Sequence, residues 1–260
     1  MARIVLAHGI LGFGSVLPMQ PINYFNGIKK LYEAGGHNEV FCPSVLPLGS
    51  LDARSTSLAG QVLTHWPDDG QKIYLLAHSM GGLDCRRMLA RHPEIARRVR
   101  RLITVATPHY GSPVADEVLH PGFFLDALNP LNLLSGIFAH DAGALRDLTL
   151  HDDLQDEDDR ANNIDYRCVG CDAGADPDSF FFSSTAIVGD FEGEPNDGVV
   201  GIASSSKTND PATLLERWDV DHGGAVGWPS GSAEELKRAV EKPPQDHIDR
   251  YTRLLGVLLS

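Results

Sequence analysis

The chain has 260 residues, 42% of them hydrophobic, which is enough for one full core of α/β size. Its 35 acidic and 22 basic side chains leave a net charge of −13, the wrong sign for a phosphate backbone or an anionic lipid surface. Nucleic acid is therefore excluded as a partner, whereas apolar docking on a neutral oil surface stays open.

Ile4 to Ala7 reads as a buried strand, entered from Met1 with no leader pattern. No apolar run approaches the ~20 residues of a transmembrane helix. The chain thus reads as soluble, either cytoplasmic as sequenced or the mature form of a secreted protein. The strand leads into His8-Gly-Ile-Leu-Gly12. Residues from about Tyr24 to Ala34 predict a helix closed by Gly35-Gly36. Glu39 to Cys42 predicts a strand and Ser55 to Trp66 a helix ended by Pro67. Ile73 to Ala77 has the length and composition of a buried parallel strand, Leu83 to Arg91 reads as the helix after it, and Val99 to Ala106 as the next strand. This alternation predicts a mostly parallel sheet covered on both faces.

Beyond Thr107-Pro-His-Tyr-Gly-Ser-Pro113, a loop at the carboxyl edge of that sheet, the alternation stops. Aromatic and leucine side chains crowd residues 114–163, broken by Pro121 and Pro130. A lid or cap insertion at about 114–160 is expected, against the alternative of two core helices in the main domain. The acidic run His151 to Asp159 lacks the spacing and central glycine of an EF-hand and reads as a solvated face. Tyr166 to Gly170, and a stretch around Ala186 to Val188, are expected to resume the sheet. Asp246 to Leu259 predicts a terminal helix with Ile248, Tyr251, Leu254, Leu255 and Leu258 on its packed face. The four cysteines read as small buried hydrophobes; Cys168-Val-Gly-Cys171 has no second pair for a zinc site, and a disulfide between the two stays open. The chain is one domain, 1–260.

The chemistry is concentrated at Ala77-His-Ser-Met-Gly-Gly82. A strand, a lone serine among small residues and a helix form the nucleophile-elbow pattern, here with Ala77 where glycine is usual. The alternative is an ordinary helix cap at Ser79. A serine nucleophile needs a histidine base, and the base needs a carboxylate to fix its tautomer. In chain order the serine should be followed by the acid and then the histidine. Asp197, in Asn196-Asp-Gly198, and His222, in Asp221-His-Gly-Gly224, fit that order and sit in loops. His109 and His247 compete as base; Asp190, Asp219 and Asp221 compete as acid. The backbone N–H groups of Ile10 and Met80 are the expected oxyanion donors.

With these residues in view, the chain resembles the bacterial triacylglycerol lipases of the Pseudomonas–Burkholderia–Proteus type. The resemblance rests on His8 to Gly14, Ala77 to Gly82, Thr107 to Ser112, Asn196 to Val200 and Asp221-His222, in order and along nearly the whole chain. It implies an α/β-hydrolase fold, a Ser79–Asp197–His222 triad, Ile10 and Met80 as oxyanion donors, and a mobile lid. His8, His109 and Leu11 are the expected substrate-binding residues. The family commonly holds a structural calcium through an aspartate two residues after the histidine. Here Gly224 stands at that place and only Asp178 matches the other ligand, so calcium is expected to be absent or weak and no other cofactor is expected. The expected activity is hydrolysis of carboxylic esters, with triacylglycerol as substrate and an oil–water interface as partner. Alternatives are a short-chain carboxylesterase or acyltransferase on the same triad, and a non-catalytic binding protein of this fold.

Overall fold

The computed structural model describes residues 1–10, 21–119, 143–149, 164–173, 188–189, 193, 195–206, 214–228 and 233–260. Leu11, Asp178, Asp190, the acidic run 151–159 and most of the 114–160 insertion lie outside the described residues.

Six strands form one parallel sheet: β1 (Ala2–Ala7), β2 (Asn38–Phe41), β3 (Ile73–His78), β4 (Val99–Val105), β5 (Asp165–Cys171) and β6 (Leu214–Trp218), in the spatial order β2-β1-β3-β4-β5-β6. One row of aligned residues, Ala7, Ala77, Thr104 and Cys168, crosses four strands just before their carboxyl ends. The residues that follow (His8, Ser79, Ala106) therefore emerge along one edge of the sheet.

Successive side chains of a strand face opposite sides, and here both sides are buried. Ile4, Leu6, Leu76, Ile103 and Val105 face one core, shared with α2 (Ile28–Glu33) and α10 (Gln245–Leu259). Val5, Ala7, Ile73, Leu75, Ala77 and Leu102 face the other, shared with α3 (Leu51–His65) and α4 (Met80–Arg91). The terminal helix buries Tyr251, Leu254 and Leu258 at the expected helical spacing.

Further helices among the described residues are α1 (Pro21–Tyr24), α5 (Pro93–Ala96), α6 (Pro113–Leu119), α7 (Gly143–Asp147), α8 (Ile202–Ser206) and α9 (Ala233–Glu241), with a 3₁₀ turn at Gly224–Val226. The expected helix over 24–34 is divided into α1 and α2, because Gly27 takes φ 76° between them. Helix α3 begins a turn earlier than expected, since Ser50 Oγ accepts the Ala53 N–H and caps it.

The expectation that the sheet resumes around Ala186 to Val188 is corrected at Val188; Ala186 and Ile187 lie outside the described residues. Val188 and Gly189 are helical, and Val188 is fully buried against the cluster of Leu51, Met80 and Leu83 rather than against a strand. Among the described residues the next strand after β5 is β6. Cys168 and Cys171 are not joined by a disulfide. Three positions apart in a strand, their Cα atoms stand ~10 Å apart, beyond the ~7 Å a bridge can span. No described helix is long and apolar enough to cross a membrane.

Candidate active site

Ser79 sits between the last residue of β3 and the first of α4, with φ 55° and ψ −137°. Side chains avoid this region, and holding one there costs ~1–3 kcal/mol. Its Oγ does not cap the helix; it lies 3.0 Å from His222 Nε2. The helix-cap alternative is thereby set aside. The turn is possible because the second and third residues after Ser79 are glycines. A Cβ on Gly81 would lie 2.5 Å from the Ala7 carbonyl oxygen, and one on Gly82 would run into Thr107. Ala77, where glycine is usual, faces the apolar core shared with α3 and α4 and is fully buried, so a methyl group fits.

The other two members come from loops beyond β5 and β6. Asp197 is fully buried. Its Oδ1 accepts the N–H groups of Val199 (2.9 Å) and Val200 (2.8 Å), so the turn after it aims Oδ2 at His222 Nδ1, 2.8 Å away. The His222 N–H in turn donates to the Asp197 carbonyl (3.0 Å), which ties the two loops together. Because a carboxylate accepts, His222 carries its proton on Nδ1, and Nε2 presents a lone pair to the Ser79 hydroxyl. The arrangement can take a proton from Ser79 and hold the resulting imidazolium beside a carboxylate.

The loop after His222 is fastened from several sides. Asp221 Oδ1 accepts the Gly224 N–H (2.7 Å), Tyr251 donates its hydroxyl to the Ala225 carbonyl (2.9 Å), and Asn26 Nδ2 donates to the Gly227 carbonyl (2.9 Å). Asp221 is thus bound up as a turn cap.

Met80 opens α4, and the first N–H groups of a helix have no intrahelical partner. Ile10 packs against the apolar cluster that contains Met80 and Leu83. Met80 and Ile10 thus share one apolar cluster beside the amino end of α4.

The side chains of His8 and His109, expected to bind substrate, are both engaged in hydrogen bonds within the fold. His8 is buried; its Nδ1–H donates to the Gly9 carbonyl (2.8 Å) and its Nε2 accepts the Val45 N–H (3.2 Å). Burial, assisted by the nearby Arg54 charge, lowers its pKa to about 4, so it serves as a neutral strut. His109 is fully buried, accepts from Arg86 Nη1 (3.1 Å) and donates from Nε2 to Thr104 Oγ1 (3.0 Å), inside β4. His247, the other competing base, donates to the Asn26 carbonyl (3.0 Å) and is lowered to about 4, chiefly by burial.

Several groups around the site were not anticipated. Tyr24 donates its hydroxyl to His78 Nδ1 (2.8 Å), and the His78 ring lies 4.7 Å from that of His222. Burial first, then the neighbouring His222, keeps His78 well below its ordinary value and therefore neutral. The His222 backbone acts in the opposite sense, but His78 Nε2 does not reach it at hydrogen-bond geometry. Arg54 and Asp84, both essentially without exposure, form a bidentate pair under the loop after β1. One sequence sign of this pair was available: Arg54 shares a helical face with Leu51, Ser55 and Leu58.

The parallel sheet, the serine on its strand-to-helix turn, and the chain order serine, acid, histidine are those of the α/β-hydrolase fold. The comparisons with known proteins agree with that fold. Residues 60–160 match the family described as PGAP1-like alpha/beta domain. The chain is similar to triacylglycerol lipase 2 of Saccharomyces cerevisiae, 29% identical over 215 residues, which covers 80% of this chain and 63% of that one. It is also similar to a triacylglycerol lipase of Pseudomonas fragi, 32% identical over 117 residues, 44% of this chain and 37% of the relative. The chain therefore matches less than two thirds of the length of these curated relatives. Among solved structures, a Bacillus licheniformis lipase in its mature form superposes with a TM-score of 0.67 at 21% identity, over 86% of each chain. That likeness concerns the fold.

Proposed function

We propose that the protein is a serine ester hydrolase that acts on acylglycerols, of the bacterial triacylglycerol lipase type. The observation that carries this reading is the unbroken path from Ser79 Oγ through His222 to Asp197, at 3.0 and 2.8 Å, on a serine held at φ 55°. His222 takes the Ser79 proton as Oγ attacks the ester carbonyl. Asp197 holds the imidazole and its developing charge. The carbonyl oxygen, now an anion, is received by the N–H groups of Met80 and Ile10. His222 passes its proton to the departing alcohol, and water repeats the sequence on the acyl-enzyme.

Two further points support lipid as the substrate. Both similar curated proteins are named triacylglycerol lipases. The two described helices of the 114–160 insertion, α6 and α7, bury Val114, Val118, Ala144 and Leu145 in one cluster with Met80 and Leu83. The insertion therefore roots beside the serine, where a lid would govern access from an oil surface. Hydrolysis is taken to be independent of calcium, because Gly224 offers no side chain where the resemblance requires a carboxylate.

The test is initial rates on p-nitrophenyl esters from acetyl to palmitoyl and on emulsified triolein, for wild type and Ser79→Ala. Turnover of long chains and triolein by wild type alone is expected. Activity confined to short soluble esters would make the protein a carboxylesterase, and equal rates in the two proteins would refute Ser79 as nucleophile.

A further inference from the structure

Among the described residues only two non-glycine residues have positive φ: Ser79 at 55° and Ala106 at 50°. They stand just past the ends of adjacent strands, β3 and β4, and are tied together. The Ser79 N–H donates to the Val105 carbonyl (3.0 Å), and the Ser79 carbonyl accepts both the Thr107 hydroxyl (2.9 Å) and the Gly82 N–H (3.0 Å). Both peptide groups flanking the serine are thus held, and two of the three bonds come from the end of β4.

Strain at Ser79 is expected, since it lifts the hydroxyl out of the sheet towards His222. Strain at Ala106 serves no reacting atom, and its consequence is where the next residue points. The Ala106 N–H still donates to the Val169 carbonyl (3.0 Å), so β4 remains in ladder with β5 up to the bend. The left-handed step then turns Thr107, fully buried, across the mouth of the elbow. Thr107 also sets the identity of Gly82, because a Cβ there would overlap the threonine's Cβ, Oγ1 and Cγ2. A surrounding structure must over-determine a strained residue if the strain is to persist.

We propose that Thr107 is a positioning residue for the nucleophile: its hydroxyl, aimed by the left-handed backbone at Ala106, holds the Ser79 peptide in the conformation that brings Oγ to His222. This rests on Ser79 being the nucleophile. Without the Thr107 bond, the strained carbonyl keeps one partner in a dry site, and the Ser79 backbone relaxes away from φ 55°. Displacement of a reacting atom by ~1 Å costs about 10²-fold in rate.

The experiment measures labelling of Ser79 by a small fluorophosphonate, per folded molecule, together with kcat and KM on p-nitrophenyl butyrate. Thr107→Val keeps the shape and removes the hydroxyl; Thr107→Ser keeps the hydroxyl. Labelling and kcat are expected to fall about 10- to 100-fold in the valine variant with KM nearly unchanged, and serine is expected to restore most of the loss. If the valine variant does not fold, Thr107→Ala against Thr107→Ser makes the same comparison at smaller volume. Equal labelling per folded molecule with and without the hydroxyl, even with reduced stability, would overturn the proposal and leave Thr107 a packing residue. Failure of the underlying reading looks different: wild type itself is then not labelled at Ser79, and the proposal falls with it.

Discussion

Substitution Asp84→Asn tests the buried ion pair that joins α4, the helix after Ser79, to α3. Arg54 Nε lies 3.1 and 3.0 Å from the two Asp84 oxygens and Nη2 lies 2.7 Å from Oδ2, while the same guanidinium donates to the carbonyls of Leu46 (2.8 Å) and His8 (3.1 Å). Burial raises the Asp84 carboxyl above the ordinary carboxylate value, and Arg54 is the main influence opposing that rise. Asparagine has nearly the same shape but removes the countercharge and turns an amide N–H₂ towards a group that has only donors. The guanidinium, with a side chain 0% exposed, is then a buried charge without compensation. Breaking such a pair from one side costs ~3–5 kcal/mol, a large share of the ~5–15 kcal/mol that separates folded from unfolded domains. Urea unfolding followed by far-UV circular dichroism should show a lower midpoint at unchanged slope. The double variant Arg54→Met/Asp84→Leu should recover part of the loss, because an apolar pair carries no charge desolvation cost while the Leu46 and His8 carbonyls lose the Arg54 donor. A loss below ~1 kcal/mol, the size of an exposed pair, would refute the reasoning. Ester hydrolysis by the folded Asp84→Asn protein should fall as well, since Arg54 also fixes the His8 carbonyl, two residues before Ile10.

Stability should depend on pH through the buried histidines. His8 and His247 have folded values of about 4 against 6.5 for the free side chain, so between these values the unfolded chain binds more protons and stability rises with pH. Their contribution is complete above pH 6.5 and is lost as pH falls towards 4, by up to ~3 kcal/mol per histidine. Urea midpoints at pH 7 and pH 4.5 measure this; His247→Gln should flatten the slope, and an unaltered slope would count against a neutral buried His247. Separately, Gly9→Ala should abolish most activity while leaving a folded protein. Its Cβ would lie 2.6 Å from Ser79 Cβ and 2.9 Å from the Tyr24 hydroxyl, so the loop carrying Ile10 must withdraw from the serine. A rate loss of ~10²-fold or more is expected, with kcat and circular dichroism as the readouts; a near-normal rate would mean that the loop takes no part in the reaction.

Much of this protein follows from local sequence. Strands β1, β3 and β4 are apolar runs buried on both faces, and such runs show themselves without knowledge of their neighbours. Ser79 was legible because a strand, a serine and two glycines form a local turn, and His222 and Asp197 because chain order restricts the partners of a serine. Strand β6 was not legible: Leu214–Trp218 is short, only partly buried and without alternation. Val188 reads as a strand residue by propensity and is instead helical, because its burial depends on Leu51, Met80 and Leu83, all more than a hundred positions away. The histidines divide the two kinds of information most clearly. His8, His78, His109, His222 and His247 are chemically identical in the sequence, and only tertiary contacts give four of them buried or structural partners and one a serine and a carboxylate. The same holds for Arg54 with Asp84 and for Thr107 with Ser79, pairs separated by 30 and 28 positions. Local sequence determines where the chain turns and what it buries; which polar group meets which is decided where separate strand ends and helices converge, because a hydrogen bond reaches only ~3 Å.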